Sequence, residues 1–572
     1  MPIELGEVIV RANATTQREI AIDGTTLSPD VDAEIETAVV TDGLTMADTF
    51  VIVFRDPGKG ILQRAGCEIG RRVRISTAST TEDAPAVLID GEITAVEADY
   101  DNLGARAVVR GYDYSHRLTA GRRSQVYNDA KFSDVARTIA MDAGLDPDID
   151  ESSGTHEHVI QGNQSDFEFL KALASQIDYD FRVEGRTLRF KRITDAASGP
   201  EQGDYASQRP VQLVWNSNLL EFRGRVSAVS QVAEVTVRGW DVKEKKAIIG
   251  KAPAKATNAT LALNPKDLAE RVGGRTFTVV DRPVTTQQAA DALAAAKAEQ
   301  VGSAAFEATF VALGSAALKA GVAVSVAGVD PAFEGNWVIT KSRHEFGNGS
   351  YRTAIECTGR QDRSLHGVVA NALPGATGDA PRIPGLVNAI VTANEDPMRL
   401  GRVKVSYPWL SDEVESSWAR VAAPGVGPNA GLVWLPEVGD EVLVGFGHGD
   451  LGSPYVLGGL WNGKDKAPLG DGLQDAGKIT RSGFISRKGH KLVFFDGPQE
   501  SGIALISSTG EHRVSLNETR RELHVVTQGK LKIEADELEV IVKRNATIKA
   551  QSGMSLEAAG QMTVKGATVA IN

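Results

Sequence analysis

The chain has 572 residues, 42% of them hydrophobic and 24% charged, an ordinary soluble composition too long for one core and suited to about three to five domains. A net charge of −12 and a pI near 5.4 argue against a surface that tracks phosphates, since nucleic-acid binders neutralise phosphate with clustered Lys and Arg. Cys67 and Cys357, the only cysteines, read as reduced buried thiols rather than a disulfide framework, and no window approaches the roughly eighteen apolar residues of a membrane span.

The first residues, MPIELGEVIVRANATT, lack a basic segment followed by an apolar one. Synthesis in the cytoplasm without a signal peptide is expected, and action outside the cell would need another carrier. Up to about residue 115 the pattern is strand-like, with runs such as TFVIVF (Thr49 to Phe54) and RRVRIS (Arg71 to Ser76) between Gly, Asp and Pro clusters. A helix is predicted after Ser133, through DVARTIAMDAG, ending near Gly144 and Pro147. A second follows a capping box of Ser165 and Glu168, with Phe169, Leu170, Leu173 and Ile177 on one face. Strands resume beyond it, broken by the Ala-rich helix TTQQAADALAAAKAEQ, where Thr285 and Gln288 form another predicted box.

AVVRGYD (Ala107 to Asp113) is echoed in VTVRGWD (Val235 to Asp241) and more faintly in IECTGRQD (Ile355 to Asp362). The echo suggests two related β-barrels in tandem within residues 1–375. A Pro/Gly-rich run from Gln361 to Gly385 follows, with the linker placed at 376–385. The compact module 386–463 carries four of the seven tryptophans, and a Gly-rich linker, 464–478, precedes a tail, 479–572.

Written in eights, that tail aligns on itself. Leu538, Ala546, Met554, Met562 and Ala570 share one place, Val540, Ile548, Leu556, Val564 and Asn572 a second, and Val542, Ala550, Ala558 and Gly566 a third. Polar residues such as Thr547 and Lys549 alternate with them, the pattern of short strands with one buried face, while Lys543 to Asn545 and Gln551 to Gly553 are turn material. One chain would leave both sheet edges and the apolar face in water. Three copies wound about one axis would cover both. From Thr519 to Asn572 there is no Pro to delete a ladder hydrogen bond and no aromatic ring to crowd a narrow axis. The expected trimer core is Leu538, Val540, Val542, Ala546, Ile548, Ala550, Met554, Leu556, Ala558, Met562 and Val564.

Other motifs point nowhere. GGLWNGKD (Gly458 to Asp465) nearly spells a phosphate loop, but Asp465 stands where a magnesium-ligating hydroxyl belongs, and Pro468 and Gly470 deny the following helix. His156 and His158 have no third ligand nearby in sequence and read as a surface loop. No catalytic residue, metal site or cofactor is expected. Tyr407, Trp409, Trp418 and Trp434 would suit a single-strand platform, but the module holds four Lys and Arg against nine Asp and Glu, so nucleic acid is not an expected partner. The rings are expected in the module's core and in contacts with neighbouring chains.

GRVKVSYPW (Gly401 to Trp409), SSWARVAAPGVG (Ser416 to Gly427) and LPEVGDEVLVGFGHGDLGSPYVLGGLWNG (Leu435 to Gly463) resemble the OB-fold module of VgrG-type spike proteins of contractile injection systems. Residues 1 to about 375 resemble the hub of that family, also known as phage late control D, and RGYDYSHRLTAGRRSQVY (Arg110 to Tyr127) most resembles the extracellular contractile injection branch. The resemblance implies a mainly β protein with a few helices: tandem hub β-barrels, an OB-fold barrel and a C-terminal intertwined trimeric β-helix, or β-prism. It also implies a non-enzymatic homotrimer adapting a hexameric inner tube to a threefold, membrane-puncturing needle. Its partners would be baseplate proteins, cargo effectors and a PAAR-type tip seated at Ala570, Ile571 and Asn572, and it would act in an extracellular, phage tail-like particle. A type VI secretion spike and a receptor-binding or glycan-degrading tail fibre are the alternatives.

Overall fold

In strands that bury one face, every second residue is apolar, and Phe50, Ile52 and Phe54 in TFVIVFR obey that rule by being wholly buried. A computed structural model describes residues 17–570 apart from 45, 79–85, 103, 200–210, 281–282, 348 and 360–382, and the chain divides into two compact units, Met1–Leu460 and Trp461–Asn572. The N-terminal stretch 1–16 and most of the expected linker at 376–385 lie outside the described residues.

An eleven-stranded sheet organises the first unit. Eight of its strands are β1 (Ile35–Gly43), β2 (Thr49–Arg55), β3 (Ala86–Asp101), β4 (Gly104–Asp113), β5 (Leu219–Val226), β6 (Phe306–Leu313), β7 (Lys341–Gly347) and β8 (Ser350–Cys357). Their order is β5-β6-β8-β7 and then β1-β2-β4-β3, all pairs antiparallel, so two quartets repeat one order side by side. The core residues repeat too. Val109 faces Ile52 and Ala107 faces Phe54 in one quartet, as Cys357 faces Ala308 and Ile355 faces Phe310 in the other, and all eight are buried.

The strongest sequence echo does not mark this repeat. The counterpart of β4 is β8, which carries the faint copy, whereas VTVRGWD forms the strand Glu234–Asp241 of a separate three-stranded sheet with Lys246–Pro253 and Thr276–Val279. Both glycines answer a local need. A Cβ on Gly111 would lie 2.3 Å from the Phe50 ring, and one on Gly239 would lie 2.3 Å from the Val284 carbonyl oxygen. A small residue where something crosses close over a strand therefore recurs in unrelated places.

Each quartet carries an insert. The first, after β4, packs α1 (Phe132–Asp142) and α2 (Asp166–Gln176) on strands including Tyr179–Glu184 and Thr187–Arg192 around a core of its own. Helix α1 starts earlier than predicted, at Phe132. Asp134 accepts the Lys131 N–H at 3.2 Å, and Ser133 sits buried in the first turn, donating its N–H to Ser152 Oγ. The Ser165–Glu168 box is present, with Oγ accepting from the Glu168 N–H at 3.2 Å and the Glu168 carboxylate from the Ser165 N–H at 3.1 Å. In the second insert α3 (Gln287–Ser303) is capped by Thr286, whose Oγ1 accepts from the Ala289 N–H; the predicted Thr285–Gln288 box is thus displaced by one residue, and Ala289 at the third position cannot return the bond.

The module after the linker has five strands, Leu386–Ala393, Lys404–Ser406, Arg420–Val421, Glu441–Phe446 and Pro454–Gly459. The first pairs with the second and fourth, the fourth with the fifth, and the third runs parallel to the fifth. A bridge between Val403 and Ala419 closes the ring around Val391, Val405, Tyr407, Val442, Val444 and Val456. That is the five-stranded OB barrel.

In the second unit, a five-stranded antiparallel meander, Arg481–Ile485, Lys491–Asp496, Ser501–Ile506, His512–Asn517 and Glu522–Thr527, precedes the octads. Within residues 479–572 the meander satisfies its own ladders, and the octads at Leu538 to Asn572 follow it.

Candidate functional site

Beyond Thr527 the described residues form no strand, and among those at 530–570 no backbone hydrogen bond closes. Bends nevertheless recur at 543–544, 551–552, 559–560 and 567, eight residues apart and over the expected turn material. Between them both stripes are open to water. Val540, Ile548, Leu556 and Val564 are 74%, 80%, 72% and 70% exposed, and Ile541 on the opposite stripe is 77% exposed. Leu538, Val542, Met554, Met562, Ala546, Ala550 and Ala558 are exposed as well. The single chain thus buries none of the eleven expected core residues. Ala570 is exposed, and Ile571 and Asn572 lie outside the described residues.

The meander adds apolar residues beyond Leu523 and Val525, which the sequence already shows as the same octad slipped by one residue. Phe494, Ile503, Leu516 and Leu523 form one cross-strand row, and Leu492, Leu505, Val514 and Val525 the next, on the same face. All but Leu492 are exposed, while Val493 and Ala504 on the opposite face are buried. The period-two alternation in KLVFFD, SGIALI and HRVSLN was the available signal. In one protomer this face has no cover, and exposed apolar patches of this extent mark contact surfaces.

In the OB module only Tyr407 of the four expected rings is buried in the core. Trp409 is 45% exposed and gives its Nε1–H to the Asn388 carbonyl, Trp434 is exposed, and Trp418 is half-buried beneath the cations of Arg402 and Lys404. Of the two places expected for these rings, the core takes Tyr407 alone, and the other three lie at or near the surface. The barrel is narrow, and Val side chains already occupy it.

The histidine pair is structural. His156 stacks on Phe132 with ring centroids 4.1 Å apart, and His158 lies between Asn128 Oδ1 and the Glu415 carbonyl oxygen, each 2.8 Å away, tying the first insert to the OB module. They belong to the strand His156–Gln164 rather than a loop, and burial pushes both imidazoles below the ordinary histidine range. At the near phosphate loop, Asn462 Oδ1 accepts the N–H groups of Lys464 and Asp465, and no α-helix follows. Among the described residues no three His, Cys, Asp or Glu are grouped to hold a metal. Cys67 and Cys357 are buried free thiols, and burial pushes the Cys67 thiol up to about 11.

Residues 387–461 match the type VI secretion system/phage-baseplate injector OB domain, and residues 71–348 match the Alg8 N-terminal domain. The type VI secretion spike protein VgrG5 of Pseudomonas aeruginosa is 38% identical over 96 residues, 15% of this chain and 12% of the relative. The actin cross-linking toxin VgrG1 of Vibrio cholerae is 26% identical over 154 residues, 24% of this chain and 14% of the toxin. The chain thus spans about an eighth of the length of these curated relatives. A chain of the half-lidded Francisella PdpA–VgrG complex shares the fold, with a TM-score of 0.51 at 8% identity over 90% of this chain and 89% of that one. The chain is thus similar to VgrG spike proteins in the sequence of its OB barrel and in its β-rich fold.

Proposed function

We propose that the protein is the homotrimeric central hub and spike of a contractile injection machine and acts mechanically rather than as an enzyme. The observation that carries this reading is the octad tail, some forty residues with regular apolar stripes and, among the described residues, no main-chain hydrogen bond within their own chain. Two sister chains would supply both the missing ladders and the missing interior, and a needle held by ladders between chains resists bending because many bonds must break together. The relatives named as type VI secretion spikes support the spike role. On this reading residues 1–375 meet a hexameric inner tube and baseplate proteins, 386–463 carries the load to the needle at 479–572, and a PAAR-type tip seats on Ala570 to Asn572. Assembly occurs in the cytoplasm, and the finished particle works outside the cell, with cargo effectors as further partners.

The type VI secretion alternative rests on the same relatives. Genes for sheath, tube and tail fibres beside an ATPase would favour the extracellular particle. The tail-fibre alternative requires sugar platforms, and the octads have no aromatic residue. Light scattering on the full chain tests the central claim: a mass of three protomers is expected, and a well-folded solitary protomer at micromolar concentration would end it.

A further inference from the structure

A cavity of about 260 Å3 lies where three parts of the first unit meet: β1, β3 and β4 of the first quartet, the strand Tyr179–Glu184 of the first insert, and the turn at Lys319 between β6 and β7 of the second quartet, the second half of the sheet. Asp42, Asp48 and Asp113 line it, Asp42 and Asp113 buried and Asp48 half-buried. Each accepts a main-chain N–H: Asp42 from Ala320 at 2.9 Å, Asp48 from Gly43 at 3.0 Å and Asp113 from Ser115 at 3.1 Å. The Asp113 N–H in turn donates to the Asp48 carbonyl oxygen at 3.0 Å. Among the described residues none of the three forms an ion pair.

The facing charges are already engaged elsewhere. Arg182 pairs with Glu184 at 3.1 Å and donates to the Ala320 carbonyl, and Lys319 Nζ donates to the Val87 carbonyl at 2.7 Å. Asp90 is held by Arg72, and Glu184 is shared with Arg189 at 3.0 Å. The lining thus presents five carboxylates against two cations. Its walls are also where the parts are tied together, since Asp42 and Arg182 both bind Ala320, and Thr194 Oγ1 donates to the Gly321 carbonyl at 2.7 Å.

We propose that this cavity is a proton-operated latch: a proton held among Asp42, Asp48 and Asp113 draws the first insert and the second half onto the first quartet, and full ionisation loosens the junction. Desolvation pushes the Asp113 carboxyl up to about 7 and holds Asp48 well above and Asp42 above the ordinary range, with Asp42 and Asp113 adding repulsion at Asp48. Because the folded state prefers the protonated acids, their contribution is fully present below the ordinary carboxylate pKa of 3.8. It is lost as pH rises towards and through about 7.

Amide hydrogen exchange of the full chain, compared at about pH 5.5 and about pH 8 after correction for the intrinsic rate, tests the latch. The wild-type amides of Gly43, Asp113, Ala320 and Gly321 are expected to lose protection several-fold at the higher pH. In Asp48→Asn, and independently in Asp42→Asn, the neutral amide stands in for one protonated acid and removes its charge from beside Asp113, so the loss of protection at the higher pH should be smaller than in wild type. Equal pH dependence in wild type and both variants would overturn the proposal. So would failure of both variants to fold, since the neutral form is the one proposed to close the junction.

Discussion

Asp396 gathers its own loop around Arg402: one carboxylate accepts the N–H groups of Met398, Leu400 and Arg402 and meets the Arg402 guanidinium at 2.6 Å. The pair is largely buried, and the Arg402 hydrogen bond, reinforced by those main-chain donors, holds the Asp396 carboxyl far below the usual carboxylate range. Asp396→Asn would leave a buried guanidinium without its counter-charge, and we expect a loss of about 3 kcal/mol in OB-module stability. A carboxyl whose folded pKa is depressed contributes above its unfolded pKa and loses that contribution as pH falls through the folded value. The gap in unfolding midpoint between wild type and variant should therefore be full at neutral pH and narrow steadily below about pH 4.

In the proposed trimer the octads separate an inner from an outer stripe, although both are exposed in the single chain. Leu556→Asp is expected to prevent assembly, because threefold symmetry would gather three carboxylates near a dry axis, each costing several kcal/mol. Lys549→Asp, on the other stripe, should leave the trimer intact. Sizing of both variants in parallel checks the assignment, and the opposite pattern would mean that inside and outside are exchanged.

What could be read in the sequence was local. The Ser165–Glu168 box was legible because both partners lie within one helical turn, and the octads because each residue repeats its place eight positions on. The OB module was legible as an ordered run of motifs. The quartet repeat was not, because its shared element is an order of strands, and β2 and β6 agree only in where Phe50 and Phe54 or Phe306 and Phe310 fall. Local likeness even misled, since Gly111 and Gly239 relieve similar crowding in different sheets. The acid cluster was equally hidden. Asp42, Asp48 and Asp113 lie on separate strands or turns, and only the fold brings Lys319 and Arg182 to face them.

Charge predicts that the OB barrel does not hold single-stranded nucleic acid. Arg402 is committed to Asp396, Lys404 to Glu415 at 2.9 Å, and both cations also cover Trp418, so two of the module's four basic residues are already neutralised. The full chain should not retard a labelled oligonucleotide in a gel at moderate salt. Retardation that weakened steeply with added salt would show phosphate contacts and refute this assignment.

Gly111 tests the packing of the first quartet. A Cβ there would stand 2.0 Å from the Glu92 carbonyl oxygen and 2.3 Å from the Phe50 ring, whereas one at Gly58 would meet nothing within 4 Å. Gly111→Ala is expected to cost about 1–3 kcal/mol, since the backbone of β3 must move as well as the ring. Gly58→Ala should change stability by less than about 0.5 kcal/mol. Shortening the ring with Phe50→Leu cannot rescue Gly111→Ala, because the Glu92 carbonyl remains in the way and the core loses contacts besides. Denaturant unfolding of the three variants and the double variant separates the two obstacles: recovery in the double variant would mean that the ring alone, rather than the neighbouring strand, requires glycine at this position.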